Sequence, residues 1–240
     1  MRAILTFHSI DESGSVLSYS AKSFAKLLDA LERCDIAIVD LDTLLRADSG
    51  CAVALTFDDG IRNVFTEALP ILRSHSAPAH LFLTTGSVGG MNRWPSQPPS
   101  APLFEMLRWS EVEVLQAAGV RIEAHTVNHP DLRTLNDDEL QSEFELADET
   151  IVARLGSRAR YFAYPYGYSD ERVRAFARSH YKGSLAGGER ALRGKEDPAA
   201  LPRLNSYYLQ PEWTFRDLRS WRSRAYLEVR GAIRRLRTGL

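Results

Sequence analysis

The feature that most constrains this chain is the regular exchange of short apolar runs with stretches of helical period. Runs rich in aliphatic, β-branched or aromatic residues fall at 3–8, 36–39, 52–57, 79–83, 120–124, 161–164 and 204–208. Each has the length of a strand. Between them the apolar residues return every three or four positions. Phe24, Leu27, Leu28 and Leu31 give such a face around Ala21–Arg33, and Leu140, Phe144, Ala147 and Ile151 give another in 135–155, which stops at Gly156. Further helices are expected at 42–46, at 64–72 with Pro70 set to end or kink it, at 110–118 and at 170–179. Ser110 and Glu113 have the spacing of a capping box, and Gly119 is a natural stop. Strands that alternate with crossover helices pair in parallel, which makes the chain α/β with a sheet either open or closed into a barrel. No internal repeat is present, and 240 residues suit one large domain or two small ones.

Composition narrows the function classes. A hydrophobic content of 44% and a charged content of 25% are those of an ordinary soluble globular chain. The net charge of −1 gives no electrostatic footprint for nucleic acid. Cys34 and Cys51 are the only cysteines, which points to free thiols and a reducing compartment. The start, MRAILTFHSI, lacks the pattern of a signal peptide, and no run of about 18 apolar residues exists to span a bilayer. The expected location is cytoplasmic.

Two segments break the pattern. Residues 86–102 hold three glycines and four prolines around Trp94, a long irregular loop of the kind that serves as a lid or binding loop or is merely a surface insertion. Residues 212–240 carry eight arginines against three acidic residues, a net of +5, with tryptophans and aliphatic residues interspersed. This basic amphipathic helix either packs on the domain with a solvated face or makes peripheral contact with an anionic membrane. The expected organisation is a catalytic domain at 1–211 followed by this helix at 212–240.

In parallel α/β folds, sites gather at the carboxyl ends of strands, and the unusual polar residues of this chain fall there. Asp58-Asp59-Gly60 ends the 52–57 run; alone it is a good turn. His125 and His129 follow the 120–124 run at a spacing that lets one turn aim two imidazoles at one ion. Asp59 would complete a two-histidine, one-carboxylate set with open positions, the pattern of a catalytic metal. The stretch 162–167 reads as a strand and a proline turn, and His8 ends the first run.

Together, TFDDG at 56–60, HTVNH at 125–129 and YPYG at 164–167 resemble, in order and spacing, the three motifs of the polysaccharide deacetylases, the NodB-homology enzymes or carbohydrate esterase family 4. The resemblance covers roughly residues 1–208. It implies a distorted (β/α) barrel of the NodB type and metal-dependent removal of N-acetyl groups from a carbohydrate. It implies a divalent ion on Asp59, His125 and His129, most often zinc, with cobalt, nickel or iron also compatible. It implies Asp58 as general base and the Tyr166 amide as an oxyanion donor. Trp94, Tyr164 and Pro165 are the candidate substrate contacts. Two departures stand out. The arginine that usually precedes the third-motif proline by two residues is replaced by Ala163; Arg203 is the candidate substitute and Arg160 the second choice. The family's late Leu-x-His is missing, since no histidine follows His180. Members similar to the poly-N-acetylglucosamine deacetylases have permuted motifs in which an N-terminal strand supplies this histidine, so LTFH at 5–8 makes His8 the candidate acid. An O-acetyl esterase or other amidase, a carbohydrate-binding protein and a membrane-surface scaffold are the competing readings.

Overall fold

A computed structural model describes residues 1–46, 50–95, 97, 101–216 and 220–238. Pro98, Pro99, Asp217, Leu218 and Arg219 lie outside the described residues, as do the side chains of Arg224, Glu228, Arg234, Arg235, Leu236 and Arg237.

Apart from the 36–39 run, whose Ala37 is exposed, the apolar runs form strands that are buried on both faces, as parallel sheets require. In chain order the elements are β1 (Arg2–Phe7), β2 (Ser9–Ile10), β3 (Ser18–Tyr19), α1 (Ala21–Arg33), β4 (Ala37–Ile38), α2 (Leu41–Leu44), β5 (Ala52–Phe57), α3 (Leu69–Ser74) and β6 (Ala79–Leu83). They continue with α4 (Trp109–Ala117), β7 (Arg121–Ala124), α5 (Asp137–Leu155), β8 (Tyr161–Ala163), α6 (Glu171–His180), β9 (Gly183–Leu185), β10 (Leu204–Asn205), α7 (Glu212–Phe215) and α8 (Trp221–Thr238). The main sheet runs β10-β1-β5-β6-β7-β8-β9, all parallel, with β4 on the first half of the β5 edge that β6 completes. Its two ends are joined by one short stretch. Leu201 bonds to the backbone of β9 at Ser184 and Ala186, and Leu204 and Asn205 pair with Leu5 and Thr6 of β1. The sheet is therefore a distorted (β/α) barrel closed by residues 201–205.

Period-two alternation assigns the faces. Ala3, Leu5 and Phe7 of β1 and Val53, Leu55 and Phe57 of β5 point out, into a core shared with α1, α3 and α4. Ile4, Ala52, Ala54, Phe82, Tyr161, Ala163 and Leu185 point in and fill the barrel. Phe144 of α5 stacks on Phe162 of β8 at 4.5 Å on the outer side. The base of the barrel is tied by a buried pair: the His80 ring meets Glu123 at 3.0 Å and accepts the Leu41 N–H, while Glu123 accepts the amides of Arg160 and Tyr161.

Several boundaries differ from the sequence expectation for identifiable reasons. Pro70 neither ends nor kinks a single helix; Val64–Ala68 forms a π-helical turn and α3 follows with Pro70 in its first turn, where the amide that proline lacks would have no helical partner. Helix α4 begins before Ser110: Glu111 accepts the Arg108 amide at 2.9 Å and Arg62 Nε at 2.8 Å, so the helix is capped from Glu111 two residues early, without a Ser110–Glu113 box. The final strand is only two residues long because Asn205 caps a 3₁₀ turn at Ser206–Leu209. Among the described residues of 212–240, Glu212–Phe215 and Trp221–Thr238 are helical, and Phe215 and Leu227 are buried in the main core.

Candidate active site

The register of β1 and β5 places the first two candidates side by side. Phe7 pairs with Phe57, so His8 and Asp58 leave the sheet together, and the Asp58 amide bonds to the Phe7 carbonyl at 2.9 Å. His8 Nε2 lies 4.0 Å from Asp58 Oδ2. Asp58 is 2% exposed, a costly place for a carboxylate unless it is paired. Arg203, just before β10, supplies the pair, with Nη1 2.8 Å from the carboxylate. Burial works to raise the Asp58 pKa, but the Arg203 guanidinium, helped by His125 and His8, outweighs it and holds the carboxyl below its usual range. Arg160 is at the other end of the barrel, paired with Asp42.

Asp59 turns the other way. Its φ is +71°, so its carboxylate parts from that of Asp58 and meets the two histidines: Oδ1 is 3.3 Å from His125 Nε2 and 3.3 Å from His129 Nε2. Burial opposes the Asp59 charge too, yet bonding to His125 and His129 keeps its carboxyl well below the usual range. Burial lowers the His129 pKa despite Asp59, which leaves that ring neutral and able to act as a ligand. His125 Nδ1 is 2.6 Å from the Ala163 carbonyl, which fixes the proton on Nδ1 and turns the Nε2 lone pair inward. One ligand atom from each of the three residues lies within 4.8 Å of the others. Two imidazole nitrogens and a carboxylate oxygen converging on one point fit a divalent cation with open positions.

The turns that aim these groups are held against their own preference. Among the described residues seven non-glycines have positive φ, and five of them, Asp59, Thr126, His129, Tyr166 and Glu189, lie at this site. Such conformations persist only when the surroundings over-determine them. At the HTVNH turn the surroundings are Glu143 of α5. Its carboxylate accepts the amides of Val127 and Asn128 at 2.8 and 2.9 Å and the Asn128 side chain at 2.7 Å.

The model of the family described as polysaccharide deacetylase matches residues 46–181. The chain belongs to that family. It is 25% identical over 186 residues to a Bacillus subtilis (strain 168) chain named as a polysaccharide deacetylase, YxkH, covering 75% of this chain and 62% of that one. It is 25% identical over 171 residues to the poly-beta-1,6-N-acetyl-D-glucosamine N-deacetylase of Staphylococcus aureus (strain MSSA476), covering 66% of this chain and 52% of that one. The chain thus spans between half and two thirds of the length of these relatives. Among solved structures it shares its fold with the Streptococcus pyogenes deacetylase PplD, at TM-score 0.73 and 22% identity over 85% of this chain and 91% of that one. It also shares it with IcaB from Ammonifex degensii, at TM-score 0.69 and 24% identity over 87% and 94%.

In this chain the site lies in a cavity of about 720 Å³. Thr6, His8, Asp58, Asp59, His125, His129, Tyr166 and Arg203 all line it. Trp94 lies on the wall, stacked on the His129 ring at 4.6 Å, and Tyr166 meets the same ring edge-on at 4.7 Å. Two expected substrate contacts are elsewhere. Tyr164 is fully buried, its hydroxyl donating to the Ala199 carbonyl, because it continues the outward row of β8; Pro165 is buried beside it and does not line the cavity. Trp109 packs on the outer core under Arg154. The sequence reading also missed Glu143 and the rim residues Val16, Leu17, Tyr168, Tyr207 and Tyr208. Three tyrosines just past strand or turn ends were the available signal for the rim; Glu143 left none, since it sits mid-helix among other acids.

Proposed function

We propose that this chain hydrolyses N-acetyl groups on a carbohydrate, releasing acetate and a free amino sugar, with a divalent ion, zinc foremost, held by Asp59, His125 and His129. When bound, such an ion supplies Lewis acidity, polarising an acyl oxygen and making a nearby water more acidic. Asp58 accepts the proton of the attacking water as the C–O bond forms; Arg203 keeps it ionised and in line. The Tyr166 amide donates to the oxyanion. His8, on the other side of Asp58, delivers a proton to the sugar nitrogen as the C–N bond breaks. Trp94 offers an aromatic face beside the ligand set for the sugar or its acetyl group. Residues 1–211 form the catalytic unit, and residues 212–240 are an appendage to it.

The observation that carries this reading is the division of the two adjacent aspartates: one on an arginine, the other on two histidines, at the floor of one cavity. The relatives point the same way, since the Staphylococcus aureus protein is named for removal of N-acetyl groups from a β-1,6-linked glucosamine polymer. The test is an acetate-release screen over N-acetylated monosaccharides, oligosaccharides and nucleotide sugars, with O-acetylated sugars alongside, before and after chelation. Release from an N-acetylated sugar, lost on chelation and regained with zinc, is expected. Release from O-acetyl sugars alone would move the assignment to an esterase, and full activity of metal-loaded Asp58→Asn would overturn the mechanism.

A further inference from the structure

Helix α8 has two apolar faces, and the barrel covers one of them. Ser223, Leu227 and Gly231 recur every four residues and are buried; Leu227 joins the main core. Gly231 lies so close to the cavity wall that a Cβ there would stand 2.6 Å from the Glu189 carbonyl oxygen. A second row, Trp221, Ala225, Val229 and Ile233, recurs at the same spacing and is exposed, Trp221 by 75% and Val229 by 58%. Two residues along an α-helix is a rotation of about 200°, so this row faces away from the barrel. Trp213 of α7, exposed by 53%, widens it, meeting the Tyr226 ring edge-on at 5.0 Å. A terminal helix that only packed on its domain would present a polar outer face. This one presents aromatic and branched aliphatic side chains.

Charge decides what covers the row. Arg216 and Arg222 are exposed, and residues 212–240 as a whole carry +5 in a chain of net charge −1. A symmetric pairing of two copies through this face would bring two +5 segments together. A surface that is apolar below and anionic above suits both properties at once. We propose that the outer face of α8, with Trp213 beside it, docks on an anionic lipid bilayer, the helix lying in the plane of the interface. The inference does not depend on the reaction assigned above. It does bear on where that reaction occurs. Arg230 sits over the Tyr208 ring at 5.2 Å and Gly231 abuts Glu189, and both Tyr208 and Glu189 line the cavity. The rim is thus one helix diameter, about 10 Å, from the docked face, which places acetylated sugars at a membrane surface within reach.

The full chain is tested by sedimentation with vesicles of phosphatidylcholine alone and of phosphatidylcholine mixed with phosphatidylglycerol, reading tryptophan emission in parallel. Expected are uptake on the anionic vesicles only, a blue shift of the emission, and release by salt; each arginine near the surface is worth about fivefold in partition. The triple variant W221S/V229S/I233S, whose changes are all on the exposed row, should keep the melting temperature and lose on the order of tenfold or more of the uptake. Equal uptake on both vesicle types, no uptake on either, or uptake unchanged by the triple variant would overturn the proposal. A concentration-dependent dimer that the triple variant disperses, without vesicle uptake, would also overturn it and assign the face to a second copy.

Discussion

Replacing Arg203 by Met separates the role of this residue from simple packing. The substitution keeps an unbranched chain of similar reach but removes the cation 2.8 Å from a carboxylate that is 2% exposed. Removing one partner of a buried pair costs about 3–5 kcal/mol, because the other charge is left uncompensated. Asp58 can escape part of that cost by taking a proton. Protonating a carboxyl of ordinary pKa, about 3.9, at pH 7 costs about 4 kcal/mol, so the two routes are comparable. In the wild-type chain the folded pKa of Asp58 is lowered, so its pairing stabilises the fold above about pH 4 and is lost as pH falls through the folded value. In Arg203→Met the burial contribution wins and the folded pKa rises above the unfolded one. The variant should then lose about 3 kcal/mol at pH 7 and regain stability on acidification toward pH 4, opposite in slope to the parent. Turnover should fall by about 10²–10⁴ near neutrality, and the acid limb of the pH–rate profile should move to higher pH. Arg203→Lys, which keeps a charge without the planar fork, should fall between the two. Urea melts and metal-saturated acetate release, each at several pH values, read both quantities. An acid limb that coincides with that of the parent would refute the account, whatever the loss of stability.

Three further outcomes follow from contacts described above. Glu143→Ala should weaken zinc affinity by about 10–100-fold, as loss of a group orienting a ligand does, while Glu143→Gln, with Asn128 turned over, should recover most of it; chelator competition on the folded protein measures this, and equal affinity in all three would dismiss the role of Glu143. Asp148 is held above the usual carboxyl range by burial, against the bond from the Tyr181 hydroxyl at 3.1 Å. Its charged form therefore burdens the fold above its pKa, and Asp148→Asn should add about 0.5–1 kcal/mol at pH 8, a gain that closes near pH 4; a gain independent of pH in thermal melts would contradict this. Gly167 has φ of +73°, and a Cβ there would stand 2.7 Å from the Gly187 amide nitrogen. Gly167→Ala should cost about 1–3 kcal/mol and displace Tyr166, lowering kcat more than it raises KM; an unchanged kcat would mean the turn tolerates the shift.

Much of this was legible in the sequence because it depends on local signals. The apolar runs named their strands, and the histidines and aspartates stood where strands end. Position alone did not separate Arg203 from Arg160, since each immediately precedes a strand; the register of β10 on Leu5 and Thr6 is what brings Arg203 to Asp58. What could not be read depends on tertiary partners. Tyr164 looks like a site residue next to a motif, but the alternation of β8 turns it into the outer core. Strand β9 is a Gly-Ser-Leu segment with no apolar run to announce it. Glu143 acts across 15 residues of sequence on backbone amides, which carry no residue-type signature. The two sides of α8 are visible as spacing, but which one the barrel covers is set by the close approach of Gly231 to Glu189.

The stretch that closes the barrel also bears the counter-ion of the base, 145 residues away from it in sequence. A chain still short of residue 203 holds Asp58, Asp59, His125 and His129 but has no cation for the buried aspartate. On the proposed mechanism, competence is therefore coupled to topological completion: Asp58 gains its arginine only when residues 201–205 have met the first strand. A form that has not reached this closure lacks the ion pair on which the proposed base depends.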